Sequence, residues 1–152
     1  DVWARKGFAP TTPGNVVDYR RVRQDIVAAC EHFNVKEIGY DPWSATESAT
    51  ALGDEGLTMV PIRQGYASIS EPTKRFVSRV QAHHVEHDDN PVMAWMIDNF
   101  AIAVDPAGNI KPDKAKARER IDGVVAAITG LARAMVSSQG VSVYKKRGVL
   151  TL

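Results

Sequence analysis

A short stretch at residues 35–40 constrains the fold more than any other part of the chain. It is rich in β-branched and apolar side chains, and Asp41 and Pro42 follow it directly. Because proline cannot donate a ladder hydrogen bond, this order predicts a strand that ends at residue 40. Helical patterns of apolar residues precede the strand at residues 16–33 and follow it at residues 45–53. The alternation predicts an α/β domain whose sheet is at least partly parallel.

The rest of the chain continues this alternation. The predicted strands lie at 57–62, 100–104, 141–144 and 149–152, and a tight turn at 105–109 follows the second of them. Ser44 and Glu47 form a predicted capping box before the helix at 45–53. Further helices are predicted to start at Ser70, with Pro72 in the first turn, and at Pro91, and to span residues 121–136. Residues 1–15 have the composition of a loop, which Trp3 and Phe8 are expected to pin to the domain.

Composition limits the classes of protein to which this chain can belong. Its 152 residues suffice for one domain with an ordinary core, and the formal net charge of +1 means that any surface for nucleic acid is local. A lone cysteine, Cys30, excludes a disulfide within the chain and suits a reducing cytosol. No apolar run approaches the roughly 20 residues of a membrane span. Neither a GxxxxGK[ST] phosphate loop nor a GxSxG nucleophile motif is present.

Two acidic residues are placed where a metal site can form. Asp41 follows the strand at residues 35–40, at the end where α/β proteins commonly gather their chemistry, and Asp122 lies near the start of the long apolar helix. Two carboxylates from different elements can share Mg²⁺ or Mn²⁺, although two-metal phosphoryl chemistry needs about three or four such ligands. Position alone leaves open that Asp41 is a turn residue and that Asp122 is a first-turn acid favoured by the helix dipole.

A basic segment at residues 111–120 leads directly into Asp122. Cations beside an acidic pocket are what a phosphodiester enzyme needs, because they hold the nucleic-acid backbone while metals act on the scissile phosphate. The alternative is a solvated surface. Residues 87–90 could also bind a metal or form a solvated turn, and the histidines there do not complete a zinc pattern.

Taken together, the chain resembles the C-terminal nuclease domain of the large terminase subunit of tailed double-stranded DNA phages. The segments that carry the resemblance are residues 3–8, 12–14, 17–19, Ile-Gly-Tyr-Asp-Pro-Trp at 38–43, Gln-Gly at 64–65, Ser-Glu-Pro-Thr-Lys at 70–74, His-Asp-Asp-Asn-Pro-Val-Met-Ala-Trp-Met at 87–96, Gly-Asn-Ile-Lys-Pro-Asp-Lys at 108–114, Arg-Ile-Asp-Gly-Val-Val-Ala at 120–126, and residues 142–144. They cover nearly the whole chain in order.

The resemblance implies an RNase H-like fold and a metal-dependent endonuclease that cuts concatemeric double-stranded DNA at the start and end of packaging, by two-metal hydrolysis with Mg²⁺ or Mn²⁺. The metal-binding acids of the family fall on Asp41 and Asp122. The family's first metal aspartate lies on an opening strand upstream of residue 3. We therefore expect residues 1–152 to be a C-terminal fragment that lacks the ATPase domain, the first nuclease strand and one ligand, and that is weak or inactive alone.

The resemblance also suggests roles for other side chains. Lys111 and Lys114 are candidates for phosphate contacts, Lys74 and Gln64 for the DNA groove, and Trp43 for stacking on DNA or for packing. His87 and Asn90 are expected to shape the metal pocket or to hold the turn before Pro91. The implied partners are double-stranded DNA and, in the full-length protein, the ATPase domain, the small terminase subunit and the portal, in the cytoplasm of a bacterial host and without a membrane. Alternatives are a non-catalytic DNA- or portal-docking module and another RNase H-like nuclease, such as a resolvase or transposase.

Overall fold

Helices and short strands alternate along the part of the chain that the structure, a computed structural model, describes, which is residues 2–43 and 45–139. The elements are α1 (Val2–Arg5), α2 (Tyr19–His32), β1 (Ile38–Tyr40), α3 (Thr46–Asp54), β2 (Met59–Pro61), α4 (Tyr66–Gln81), α5 (Pro91–Asp98), β3 (Ile102–Val104), β4 (Ile110–Pro112) and α6 (Asp122–Gln139). This order confirms the predicted α/β class. None of the described helices is both long and apolar enough to cross a membrane.

The strands form two separate pairs. β1 and β2 are parallel, with Ile38 opposite Met59 and Tyr40 opposite Pro61, and α3 lies in the connection between them. β3 and β4 are antiparallel and are joined by the predicted turn, in which the Asp105 carboxylate accepts hydrogen bonds from the backbone N–H groups of Ala107 and Asn109. The prediction of a partly parallel arrangement is therefore confirmed.

Helix α6 supplies much of the core. The side chains that are 1% exposed or less are Ile121, directly before the helix, and Val124 and Ile128 on its buried face. The last two belong to a cluster that includes Ile69 and Phe76 of α4, and partly buried side chains of α5 pack against it. Burial of such side chains is the main force that holds a domain of this size together. The start of α6, where Asp122 lies, is thus fixed by the apolar residues on either side of it.

The predicted start of α4 at Ser70 is wrong. The helix begins at Tyr66 after Gly65, so that Ser70 and Pro72 are both buried inside it. The Ser70 hydroxyl does not cap the helix, and instead accepts a hydrogen bond of 3.1 Å from the backbone N–H of Ile110 at the start of β4. A contact with a residue 40 positions away has replaced the local capping interaction that the sequence pattern suggests.

The other boundaries differ less. The predicted strands at 35–40, 57–62 and 100–104 are each three residues long in the structure. The N-terminal segment includes the short helix α1, and Trp3 packs edge-on against Trp95 with ring centroids 5.2 Å apart, which confirms its pinning role; Phe8 remains 42% exposed. Ser44 of the predicted capping box and the predicted strands at 141–144 and 149–152 lie outside the described residues.

Candidate functional site

An open cleft of about 580 Å³ lies where β1 ends and α6 begins. Its walls carry the polar and charged side chains Asp41, Gln64, Lys111, Asp113, Lys114 and Asp122. Both carboxylates selected from the sequence therefore line one cavity, although they are 81 positions apart in the chain. Three of the predicted DNA-contacting residues, Gln64, Lys111 and Lys114, line the same cavity.

Asp41 is placed by the end of β1 and by a local turn. It follows Tyr40 directly, and its Oδ1 atom accepts a hydrogen bond of 3.1 Å from the backbone N–H of Trp43. This side-chain-to-backbone bond closes a turn of the kind that aspartate favours before it leaves a strand. The turn uses one carboxylate oxygen and holds the half-buried side chain at the cleft.

Asp122 is the first residue of α6, and the backbone beside it docks closely onto α5. The N–H of Gly123 donates a hydrogen bond of 3.2 Å to the Sδ atom of Met96. A methyl group on Gly123 would lie only 2.8 Å from that sulfur, so glycine allows the close approach. Ile121 on the other side is fully buried. The Asp122 backbone is thus held firmly while its side chain remains 55% exposed.

The Asp122 carboxylate pairs with Lys114. The distance from Lys114 Nζ to Asp122 Oδ1 is 2.5 Å, and the lysine side chain is 62% exposed. Asp113 fixes the turn that carries this lysine, because its Oδ1 atom accepts hydrogen bonds from the backbone N–H groups of Ala115 and Lys116. Asp113 is not among the site residues predicted from the sequence, and the structure shows that it both holds this turn and lines the cleft.

Lys111 and Gln64 stand on other walls of the cleft. The Nζ atom of Lys111 lies 4.9 Å from the centroid of the Tyr66 ring, a distance at which the ring face attracts a cation. The side-chain N–H₂ of Gln64 donates to the backbone oxygen of Ile62 at 3.2 Å and approaches the Thr129 hydroxyl at 3.5 Å. The Lys111 ammonium group is therefore oriented by the Tyr66 ring, and the Gln64 amide by the Ile62 carbonyl.

An ion pair joins the residue just before β1 to α6. Arg133 of α6 makes two hydrogen bonds to the Glu37 carboxylate, from Nε at 3.0 Å and from Nη2 at 2.9 Å, and the Ser137 hydroxyl adds a third at 3.2 Å. The bonds from Arg133 are the main reason that the pKa of Glu37 is held below its ordinary value. A two-pronged bond of this kind fixes orientation as well as distance, and so it sets the strand that presents Asp41 against the helix that presents Asp122.

The other predicted site residues lie outside the walls of this cleft. Trp43 is 85% exposed beside Asp41, so the packing role expected for it is not seen among the described residues. Lys74 lies near the turn between β3 and β4. There its charge adds to the hydrogen bonds from Asn109 that lower the pKa of Asp105.

His87 and Asn90 hold the turn before α5. The Oδ1 atom of Asn90 accepts a hydrogen bond of 2.9 Å from the N–H of Val92 and caps the helix, with Pro91 at its first position. The Nδ1 atom of His87 lies 3.1 Å from the N–H of Asp89. Of the two roles expected for these residues, the structure shows the turn role, and neither residue lines the cleft.

Thr129 is a further cleft residue that the sequence pattern could have identified. Val125, Ala126 and Thr129 line the cavity together with Asp122. Their spacing of three, four and seven residues from Asp122 places them on one face of a helix. Extending that face from Asp122 would have found the Thr129 hydroxyl near Gln64.

The donor set suits a hard divalent ion, but it is incomplete. Among residues 2–43 and 45–139, no group of three or more histidine, cysteine, aspartate or glutamate side chains is arranged to hold a metal. Asp41 and Asp122 bring two carboxylates to the same cleft. Mg²⁺ is commonly bound by one or two carboxylates together with water and substrate phosphates. The residues present therefore fit partial ligation of such an ion.

Comparison with known proteins gives consistent matches. Residues 1–138 match the family model described as terminase large subunit, endonuclease domain. Protein YmfN of Escherichia coli (strain K12) is 36% identical over 136 residues, which are 88% of this chain and 30% of that protein. The terminase large subunit of Enterobacteria phage HK97 is 35% identical over 145 residues, 92% of this chain and 29% of that protein.

A solved structure agrees. The crystal structure of the HK97 bacteriophage large terminase superposes with a TM-score of 0.79 at 32% identity, over 87% of this chain and 28% of that chain. This chain thus spans less than a third of the length of the relatives that it matches.

Proposed function

We propose that this chain, which belongs to the family of terminase large subunit endonuclease domains, supplies most of an active site that hydrolyses phosphodiester bonds of double-stranded DNA with Mg²⁺ or Mn²⁺, and that it is weak or inactive alone. The observation that carries the proposal is the convergence of Asp41 and Asp122 in one cleft whose walls also hold Lys111 and Lys114. The structural match to a large terminase supports the RNase H-like fold that the resemblance implies.

In the proposed reaction, Asp41 and Asp122 hold the metal. Bound there, two ions would supply the Lewis acidity and the orientation of water that phosphodiester hydrolysis requires. Because these two carboxylates are fewer than a two-metal site needs, we propose that another ligand comes from outside residues 1–152. Lys111, aligned by the Tyr66 ring, binds a backbone phosphate and keeps the strand against the cleft. The Gln64 amide, oriented by Ile62 and Thr129, contacts the DNA strand.

The substrate in this proposal is concatemeric phage DNA, cut when packaging starts and ends in the cytoplasm of the bacterial host. The ATPase domain, the small terminase subunit and the portal would be partners of the full-length protein. The family membership supports these partners, whereas the geometry of the cleft supports the chemistry alone.

The test is nicking of a supercoiled plasmid with Mn²⁺, by this chain and by a version extended upstream. Asp41→Asn and Asp122→Asn are each expected to abolish cleavage by the extended version. Asp98→Asn is the matched control, since it removes one carboxylate from an exposed position outside the cleft. Circular dichroism establishes that every variant is folded.

Absence of cleavage by both folded versions would overturn the nuclease assignment. DNA or portal binding that survives Asp41→Asn would then favour the docking module. Cleavage that is unchanged by Asp41→Asn and Asp122→Asn would place the active site elsewhere.

A further inference from the structure

Lys114 occupies a position between two cavities. It lines the cleft that holds Asp41 and Asp122, and it also lines an adjoining cavity of about 330 Å³. Asp122 borders both cavities as well, so the ion pair between Lys114 and Asp122 lies at their shared wall. The second cavity is bordered by Arg118 and Arg120, with Glu119 as its other charged side chain.

The ion pair joins a proposed metal ligand, Asp122, to a candidate phosphate-binding side chain, Lys114. A carboxylate that ligates Mg²⁺ or Mn²⁺ presents its oxygen to the ion, and in the structure Oδ1 of Asp122 faces the ammonium group of Lys114 instead. A lysine and a divalent ion cannot take the same side of one carboxylate oxygen without strong repulsion between the two cations. The Oδ2 atom of Asp122 remains available to the ion, but an ion bound there would still lie close to the ammonium group, so repulsion between the two cations favours release of Lys114.

We infer that Lys114 is a displaceable counter-ion of Asp122. A divalent ion that binds Asp122 releases the ammonium group, which then binds a DNA phosphate on the side lined by Arg118 and Arg120. This inference rests on the proposed function and adds to it a coupling between the two ligands. The metal makes a cation available to DNA, and DNA keeps that cation away from the metal ligand.

The exposure of the pair makes displacement feasible. Both side chains are more than half exposed, and ion pairs of this kind contribute little because water and salt screen them. Breaking the pair therefore costs the metal only a small part of its affinity, about 1.5- to 5-fold. Asp113 holds the backbone of the turn through two hydrogen bonds, so the lysine side chain can move while its Cα atom stays in place.

Thermodynamic linkage gives the inference a measurable form. If the metal frees Lys114 for DNA, the metal must raise DNA affinity and DNA must raise metal affinity by the same factor. Removal of the ammonium group should weaken this coupling. It should also raise the metal affinity of the DNA-free protein, because Asp122 then has no internal partner to lose.

The first experiment is a Mn²⁺ titration of this chain, followed through the electron paramagnetic resonance signal of the free ion. Lys114→Met is expected to raise Mn²⁺ affinity about 2- to 5-fold. Lys111→Met is the matched control, since it removes one positive charge from the same cleft without touching Asp122, and a smaller change is expected. In an Asp122→Asn background, the effect of Lys114→Met should vanish.

The second experiment measures the affinity for a short labelled DNA duplex by fluorescence anisotropy, with a gel to verify that the duplex is intact. Lys114→Met is expected to lower affinity several-fold with Mn²⁺ present and much less in EDTA, where the lysine is already engaged by Asp122.

Two outcomes would overturn the inference, and they are distinguishable. Equal gains in Mn²⁺ affinity for Lys111→Met and Lys114→Met would show a general charge effect and leave the proposed function standing. Mn²⁺ binding that is absent from both this chain and the version extended upstream, or that is unchanged by Asp41→Asn and Asp122→Asn, would remove the proposed metal site and the inference with it.

Discussion

Gly39 of β1 and Thr129 of α6 approach so closely that a methyl group on Gly39 would lie 3.1 Å from the Thr129 Cγ2 atom. The same methyl group would lie 2.8 Å from the Cδ1 atom of the buried Ile62. This contact sets the spacing between the strand that ends at Asp41 and the helix that starts at Asp122. The missing side chain of Gly39 is thus a condition for the shape of the cleft.

Gly39→Ala is expected to destabilise the domain by about 1–3 kcal/mol, because overpacking a tight contact forces the strand and the helix apart. Chemical denaturation measures the change. Gly130→Ala on the same helix is the control: a methyl group there meets no atom within 4 Å, and alanine should stabilise the helix by about 1 kcal/mol. A Gly39→Ala variant as stable as the parent would show that β1 and α6 are free to separate.

The pair of Glu37 and Arg133 should make stability depend on pH. The pKa of Glu37 is lowered in the folded state by the hydrogen bonds from Arg133, so the pair stabilises the fold above the ordinary glutamate value of 4.5. That stabilisation is lost as the pH falls through the lower pKa of the folded state. Glu37→Gln should flatten the fall in melting temperature on acidification.

Asp105 contributes to the same acid sensitivity, since hydrogen bonds from Asn109 lower its pKa too. Asp105→Asn therefore serves as a comparison, and the double variant should show the two effects added, because the sites share no partner. A Glu37→Gln protein with the full acid sensitivity of the parent would contradict the first assignment.

Mn²⁺ should raise the melting temperature of this chain through Asp41 and Asp122. A ligand that binds the folded state at ten times its Kd raises the midpoint of a domain of this size by about 3–6 °C. Asp41→Asn is expected to remove most of the shift, whereas Asp98→Asn should retain it. Differential scanning fluorimetry with matched ionic strength measures this without any cleavage, and equal shifts in both variants would argue against the cleft as the metal site.

Lys111→Gln should weaken binding of DNA duplexes of any sequence by a similar factor. Loss of one phosphate contact is expected to reduce the slope of log affinity against log salt by about 1. Lys36→Gln offers a comparison at an exposed position outside the cleft, where the ammonium group donates to Asn34, and its slope should match that of the parent. Equal slopes for all three proteins would remove Lys111 from the DNA-binding surface.

Trp43→Ala is expected to leave stability within about 0.5 kcal/mol of the parent, since an 85% exposed side chain has little packing to lose. We expect the same change to lower DNA affinity roughly fivefold, the smaller end of what stacking on a base contributes. Anisotropy and thermal melting of the same sample separate these effects. A large loss of stability would instead support the packing role.

Local sequence patterns were sufficient to place Asp41 at the end of a strand and Asp122 at the start of a helix. A strand that ends at an aspartate and proline, and an aspartate at the start of an apolar helix, are short-range signals, and both elements are where those signals predict. Their meeting in one cleft depends on the approach of Gly39 to α6 and on the bond between Glu37 and Arg133, which are 96 positions apart. No local pattern reports a contact of that range.

The misassigned residues show the same limit. The start of α4 was predicted from a cap signal at Ser70, whose hydroxyl is used by Ile110 instead. Lys74 and Lys111 are equivalent as isolated lysines in a sequence. They differ because β4 carries Lys111 into the cleft while Lys74 lies near the turn at Asp105. The selection of side chains for the cleft therefore follows tertiary packing more than residue type.

Helix α6 carries the core on one face and the cleft on the next. Ile121, Val124 and Ile128 are buried, while Asp122, Val125 and Thr129 border the cavity. Each residue added to or removed from such a helix turns everything beyond it by about 100°. A single insertion just after Asp122 would therefore turn the buried residues beyond it toward the cleft and turn Thr129 away from the cleft. A change in the length of this helix therefore damages both the core and the cleft. A change in the length of an exposed turn elsewhere in the chain rotates neither of them.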